Sequence, residues 1–365
     1  WTAEINEDDP LAAARNEPAR AARLGSCQRK DSGNRSMPEG QINSPAPATD
    51  GRSGYKPRHA RRILCLSPRY APSFGTFQYS FKLLDVKAFM PPQGLLLITA
   101  YLPAEWEVRF IDENFEPATD ADLRWADAVF TSGMHVQRRY IDEIVERAHR
   151  FDKPVVLGGP SVSGCPEYYP NADILHVGEI GDATDKIIQY LDEGPRRPLA
   201  QLRFTTADRL ALDAFPTPAY DQIDVSKYFL GSVQYSSGCP YRCEFCDIPA
   251  LYGRNPRLKS PAQLVRELES IRANGAVGPV YFVDDNFIGN AKATRAMLPP
   301  LIAWQKANGY PLRLSCEATL NIAQNPEILA DMREAGFDTI FVGIETPEEG
   351  ALNSMLKKQN LRQPI

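Results

Sequence analysis

From residue 61 onward the chain alternates short apolar runs with amphipathic stretches, and this alternation restricts the fold more than any other feature. "RRILCLSP" (61–68) reads as a buried strand, and "PPQGLLLITAYLP" (91–103) as a helix. Strands are expected at 107–112, 126–133, 154–160 and 172–179, with helices at 136–151 and 182–194. Strands that alternate with helices form parallel, doubly wound sheets, and strands covered on both faces read as continuous apolar runs. A stretch richer in Pro and polar residues, 195–228, reads as a linker.

A second alternating series follows. Strand "GSVQYSSG" leads into a cysteine-bearing loop, and helix "SPAQLVRELESIRANG" has Ser260 as N-cap, Pro261 at its first position and Gly275 as its stop. Leu264, Leu268 and Ile271 mark its buried stripe. Strand "PVYFVDD", a helix at 291–307, strand "LRLSCEAT", a helix with Asn325, Pro326 and Gly336 at its ends, and strand "DTIFVGIET" complete about four β/α units before Ile365. A β/α barrel, even a partial one, calls for more strands, so the sequence reads as a fragment of a longer protein. The expected fold class is therefore α/β: a Rossmann-like domain over 61–194, a linker over 195–228, and a partial barrel over 229–365. Residues 1–60 are rich in Ala, Pro, Ser, Gly, Asn and Arg and are expected to be disordered, because such a segment buries too little apolar surface to offset its ordering entropy.

Composition excludes several function classes. With 43% hydrophobic and 24% charged residues the chain is of ordinary globular type, and a net charge of -5 provides no basic footprint for nucleic acid. The longest apolar run, "GLLLITAYL" (94–102), falls well short of the roughly 18 residues a membrane span needs. No apolar signal core stands at the N-terminus. The expected compartment is the cytoplasm, with the membrane surface as an option that a lipid substrate would open.

Three of the seven cysteines, Cys239, Cys243 and Cys246, fall within eight residues in "SSGCPYRCEFCDIPALYG" (236–253); the others, Cys27, Cys65, Cys165 and Cys316, are scattered. A disulfide framework would be even in number and spread out, so the cluster points to a metal or to redox chemistry. Structural zinc takes four protein ligands, and no fourth is local here. An iron–sulfur cube held by three thiolates keeps one iron open to an exogenous ligand. Zinc completed from a distance and three incidental thiols remain the alternatives.

"GCPYRCEFC" resembles the C-x3-C-x-aromatic-C signature of the radical S-adenosylmethionine (AdoMet) enzymes. That resemblance implies a [4Fe-4S] cluster on Cys239, Cys243 and Cys246, AdoMet chelating the open iron, and Phe245 along the adenine. The other strand ends would supply AdoMet contacts: Asp284, Asp285 and Asn286 in "FVDDNF", Glu317 in "SCEAT" and Glu345 in "VGIET". The family's usual Gly-Gly-Glu is replaced by the acids at 284 and 285. A doubly wound domain placed ahead of such a barrel resembles the cobalamin (B12)-binding branch. Its cofactor loops would be "SPRYAPSFG" (67–75), "TSGMH" (131–135), "GGPSVSG" (158–164) and "VGEIGDA" (177–183), with Ser132, Gly133, Gly158, Gly159, Pro160, Ser161, Gly178 and Glu179 as cobalamin contacts. The D-x-H-x-x-G signature is missing; His135 ends a strand and is a further candidate, while His176 lies inside a strand and reads as a packed core residue.

Within that branch, "FMPPQGLLLITAYLP", "VVLGGPSVS", "VYFVDDNFIGN" and "CEATLNIA" resemble the hopanoid C-2 methyltransferases. The implied reaction is hydrogen abstraction from an unactivated carbon by a 5'-deoxyadenosyl radical and methyl delivery by methylcobalamin, with a hopanoid as acceptor and a flavodoxin or ferredoxin as reductant. The alternatives are a methylthiotransferase, an anaerobic cyclase or a non-catalytic iron–sulfur module. A methylthiotransferase would need a second three-cysteine set, and the N-terminal domain provides only Cys65 and Cys165.

Overall fold

The computed structural model describes residues 51–73 and 77–361. The first sheet is parallel throughout, in the order β2-β1-β3-β4-β5-β6. Its strands are β1 (Arg62–Ser67), β2 (Glu107–Asp112), β3 (Ala128–Ser132), β4 (Val155–Gly158), β5 (Ile174–Val177) and β6 (Leu202–Thr205). The connecting helices are α1 (Phe81–Leu84), α2 (Gln93–Tyr101), α3 (Asp120–Trp125), α4 (Arg138–His149), α5 (Pro160–Gly164) and α6 (Asp182–Glu193).

Alternation along each strand explains the double winding. In β1, Ile63 and Cys65 join the core packed by Leu95, Leu96, Ile187 and Leu191, on the α2 and α6 side. Leu64 and Leu66 face the other way and pack with Leu123 of α3 and with Ile141, Ile144, Val145 and Ala148 of α4. The spacing of those four α4 residues is that of a one-sided helical stripe. The strand order reverses between β1 and β3, which in such sheets opens a crevice beyond the carboxyl ends of the strands.

Two expectations need correction. Residues 51–60, taken as part of a disordered segment, pack on α6: Tyr55 Oη donates to Asp192 at 3.0 Å, and the amides of Arg58 and His59 donate to the same carboxylate at 2.9 Å. Residues 1–50 lie outside the described residues. The segment 195–228 is no free linker either. It contributes β6 to the first sheet, and Leu212, Phe215, Tyr220 and Val225 enter one core shared with both sheets. Tyr220, 0% exposed, donates to the carbonyl of Ser232 at 2.6 Å, and its Oη lies 3.0 Å from Gln93 Oε1, tying α2 to the start of the second sheet. Its Pro and polar content marks short turns between buried anchors.

The second sheet is also parallel, in the order β12-β11-β10-β7. It comprises β7 (Gly231–Val233), β10 (Pro279–Phe282), β11 (Arg313–Ala318) and β12 (Phe337–Val342), alternating with α8 (Pro261–Ala273), α9 (Ala291–Ala307) and α10 (Pro326–Glu334); α11 (Glu349–Ser354) follows. Ser260 caps α8 by accepting the amide of Gln263, and Gly275 takes φ 104° at its end, as the sequence predicts. Asn325 makes no side-chain cap on α10; its amide reaches the carbonyl of Asn321. Phe341 of β12, the edge strand of this sheet, and Ile344 just past it stand exposed.

Candidate functional site

The three cysteines sit in the connection between two short strands, β8 (Ser236–Ser237) and β9 (Arg257–Leu258), which pair antiparallel just after β7. A short helix, α7 (Ile248–Leu251), closes the connection. Gly238 opens it at φ 103°, and a side chain there would meet the carbonyl of Gly253 at 2.9 Å, so only glycine fits. The amide of Cys239 donates to that same carbonyl at 3.1 Å.

All three thiols are half-buried. Burial raises the pKa of Cys239 and Cys246, and neighbouring thiols raise it further; the backbone amides of Tyr241 and Ile248 act in the opposite sense by donating to the sulfurs. Asn286 also donates toward Cys239, and Gln359 Nε2 donates to Cys243 Sγ at 3.3 Å. N–H donors aimed at sulfur are what stabilise and tune a thiolate-held cluster. All four histidines, His59, His135, His149 and His176, lie in the first domain, so no imidazole from the described barrel joins the set. Among the described residues no three His, Cys, Asp or Glu side chains converge tightly enough for a single ion. A [4Fe-4S] cube is wider than a single ion, and Cys239, Cys243 and Cys246, half-buried on one loop with N–H donors toward their sulfurs, are the residues that would hold one.

The acids at the strand ends surround this loop in different ways. Asp285 accepts the amide of Gly238 at 2.6 Å; burial pushes its carboxyl up to about 6, and the charges of Glu179 and Glu317 add to the shift. Asp284, expected as an AdoMet contact, is 2% exposed and committed to the backbone: it accepts the amides of Tyr235, at 3.0 Å, and of Ser236. Burial raises its carboxyl to about 7. Asn286 is equally buried and holds Thr319. Glu317 is exposed and takes a hydrogen bond from Tyr281. Glu345, at φ 64°, pairs with Lys357, whose Nζ stands 5.5 Å from the ring centre of Phe245. Phe245 itself is 57% exposed, open to a planar ligand on the loop.

In the first domain the predicted loops meet at the carboxyl ends of β3, β4 and β5. Gly159 adopts φ 92°, and a Cβ there would lie 2.3 Å from Ser132 Oγ, so the β3 and β4 loops touch. Gly133 packs beside Gln137 and Pro68, and Gly158 beside His176. Pro160 opens α5. Ser161 Oγ lies 2.7 Å from His135 Nδ1 and 2.5 Å from Tyr169 Oη, so the exposed His135 is pinned through Nδ1 and leaves Nε2 available. His176 is a core residue, as expected: its Nε2 lies 2.9 Å from Thr184 Oγ1, and burial pushes its pKa down to about 4. Gly178, at φ 107°, donates to Ser163 Oγ. Helix α5 lies against α7, so the glycine-rich loop and the cysteine loop are neighbours.

A profile of the Radical SAM superfamily matches residues 233–364, and one of the B12 binding domain matches residues 80–188. This chain carries a B12-binding domain followed by a radical SAM domain. It is 63% identical over 307 residues to the hopanoid C-2 methylase of Rhodopseudomonas palustris, covering 84% of this chain and 58% of that protein. It is 23% identical over 281 residues to the bacteriochlorophyllide d C-8(2)-methyltransferase of Chlorobaculum tepidum, covering 72% of this chain and 59% of that protein. In fold it is similar to TsrM from Kitasatospora setae, a radical S-adenosylmethionine methyltransferase whose structure has cobalamin and a [4Fe-4S] cluster bound. That likeness has a TM-score of 0.62 at 19% identity, over 82% of this chain and 62% of TsrM. The chain thus spans less than two thirds of the length of these relatives.

Several residues of the radical SAM domain and its surroundings escape a reading by motif. Arg257 and Arg209 both bind Glu179, Lys357 joins Glu345 to Phe245, and Gln359 serves Cys243. None has a local spacing signature. The one available signal was that Glu179, a conspicuous acid at the end of an apolar strand, needed a cation. A groove of about 350 Å³ beside His149, Asp173 and Arg197 lies at the amino ends of the strands, opposite the cofactor loops. Ligands in such sheets bind at the other end, and it is assigned no part in the chemistry.

Proposed function

We propose that this chain is the cofactor-binding part of a B12-dependent radical SAM C-methyltransferase that methylates C-2 of a hopanoid. The 63% identity to a hopanoid C-2 methylase over 84% of the chain carries this reading. The thiol loop supports it physically, because Cys239, Cys243 and Cys246 provide three ligands and a gap.

In this reading the three thiolates hold a [4Fe-4S] cluster, Phe245 lies along the AdoMet adenine, and Asp285, Glu317 and Glu345 line the remainder of that site. Asp284 and Asn286 act behind it, fixing β8 and the Cys239 sulfur. Ser132, Gly133, Gly158, Gly159, Pro160, Ser161 and Gly178 form the cobalamin cradle, with His135 at its rim. When bound, AdoMet and the reduced cluster supply a 5'-deoxyadenosyl radical, and cobalamin carries the methyl group. The chain's own part is to orient these groups and keep water from them. A tertiary or secondary sp3 carbon offers no acidic proton, so no general base is required of the protein. The electron would come from a flavodoxin or ferredoxin. No helix among the described residues is long and apolar enough to cross a membrane.

The test is anaerobic reconstitution of the full-length protein with iron, sulfide, cobalamin, AdoMet, reductant and a hopanoid. The expected result is a product heavier by one CH2, with the methyl group on ring A. AdoMet cleavage without any methylated hopanoid, over a panel of hopanoids, would contradict the substrate assignment.

A further inference from the structure

Glu179 follows β5 by two residues, at the end of the first sheet where the cofactor loops gather. Its backbone is fixed on two sides: Gly178 before it takes φ 107°, and its own carbonyl accepts Thr206 Oγ1 at 2.6 Å. Its carboxylate, 13% exposed, points away from its own domain's loops and into the cysteine connection. Arg257 Nη2 donates to both oxygens, at 2.7 and 2.6 Å, and Arg209 Nη1 lies 2.9 Å from Oε2. Ser237 Oγ lies 3.4 Å from Oε1 and itself receives Arg257 Nη2 at 2.9 Å.

These partners mark both ends of the loop that carries the thiols. Ser237 and Arg257 are the paired residues of β8 and β9, immediately before Gly238 and after the loop returns. Arg209 uses its other nitrogen, Nη2, to hold the carbonyl of Leu251 at 2.7 Å, at the end of α7 and five residues past Cys246. On the barrel side the same loop is held by Asp285 on Gly238, by the carbonyl of Met355 on the amide of Glu244, and by Gln359 on Cys243. The loop is thus clamped between the barrel and one carboxylate of the B12-binding domain. Arg257 Nε and Nη1 are buried without a protein acceptor, so Glu179 is its carboxylate partner, and a part-buried guanidinium deprived of that partner would move. A glutamine has one oxygen where two arginines need two, so the position calls for an acid.

We propose that Glu179 is a positioning residue rather than a cofactor contact: gripped by Arg257 and Arg209, it holds loop 238–256 against the carboxyl-end loops of the first sheet and so sets the separation of the cluster from the cobalamin. The statement about cofactor separation rests on the function proposed above; the clamp itself does not.

The first arm of the test uses this chain without cofactors. Amide hydrogen exchange of Glu179→Gln and Arg257→Gln is expected to quicken across 238–256 while β1 and β3 exchange as in wild type; Glu179→Asp restores part of the protection, and Arg209→Gln gives a smaller rise. Loop exchange as slow as wild type in both Gln variants overturns the clamp. The second arm uses the full-length reconstituted protein. Cluster and cobalamin contents should match wild type, while methylated product per AdoMet cleaved falls about tenfold or more, as rates respond to misplacement of reacting groups by about 1 Å. An unchanged ratio overturns the positioning role. If wild type itself makes no methylated product, the function is refuted, and the exchange arm still decides the clamp.

Discussion

Histidine 176 makes the folded state of this protein sensitive to acid by an amount that follows from its burial. It lies in β5 beneath the loops of Gly158 and Gly178, and Thr184 Oγ1, which accepts the amide of Gly181 at 3.1 Å, has its own hydrogen free for His176 Nε2. The imidazole is therefore neutral, and burial depresses its pKa from 6.5 to about 4. An unfolded chain takes up the proton below about 6.5, whereas the folded chain takes it up only below about 4. The stability associated with a neutral His176 is whole above the upper value, falls as pH drops between the two, and falls no further beneath the lower one. The difference is about 3 kcal/mol, from about 1.4 kcal/mol per pKa unit. Asp284 and Asp285, with carboxyls raised to about 7 and about 6, act in the opposite sense, so the wild-type curve alone would mislead. The informative quantity is the gap between wild type and His176→Gln in urea unfolding of the cofactor-free chain, measured from about pH 7.5 down to about pH 4. That gap should shrink by about 3 kcal/mol across the window, in favour of the variant at low pH. Curves that stay parallel would refute the assignment of a buried, neutral imidazole.

Three other substitutions have expected outcomes. Gly159→Ala places a side chain at φ 92°, a conformation reserved almost entirely for glycine, and 2.3 Å from Ser132 Oγ; urea unfolding should show a loss of about 1–3 kcal/mol from the backbone alone, of which Ser132→Gly restores none. Lys259 and Glu267 form a pair buried on both sides, Nζ to Oε1 at 2.5 Å. Lys259→Met should destabilise by about 3–5 kcal/mol by stranding the carboxylate, whereas Lys259→Met with Glu267→Leu should come back to wild-type stability or beyond. Gln359→Leu removes a donor to Cys243 Sγ and should move the reconstituted cluster to a more negative midpoint potential, read by redox titration followed by EPR.

The fold was largely legible because its elements carry strong periodicity. The stripes Ile141, Ile144, Val145, Ala148 and Leu264, Leu268, Ile271 are each visible in sequence and buried in the structure. The segment 195–228 misled because its anchors, Leu212, Phe215, Tyr220 and Val225, are spaced by turns and have no period, and because β6 is only four residues long. Tyr55, Arg58 and His59 were hidden for a related reason: their order comes from Asp192, more than 130 residues away. At the site, the thiol loop declared itself through spacing. The acids did not sort themselves, since a strand-end Asp that faces a ligand and one that binds backbone amides look alike in sequence. Asp284 proved to be the second kind. Glu179 looked like one more polar residue of a cofactor loop, and only the arrival of Arg257 and Arg209 from distant segments reveals where its carboxylate points.

The proposed function requires that Cys239, Cys243 and Cys246 hold a cluster with one iron left open. The direct measurement is EPR of the anaerobically reconstituted, dithionite-reduced chain with and without AdoMet, alongside its iron and sulfide content. The expected result is about four irons and four sulfides per chain, a reduced-cluster signal that shifts when AdoMet is added, and loss of both in Cys243→Ala with the secondary structure intact. Zinc in place of iron, or a cluster signal that AdoMet leaves unmoved, would contradict it.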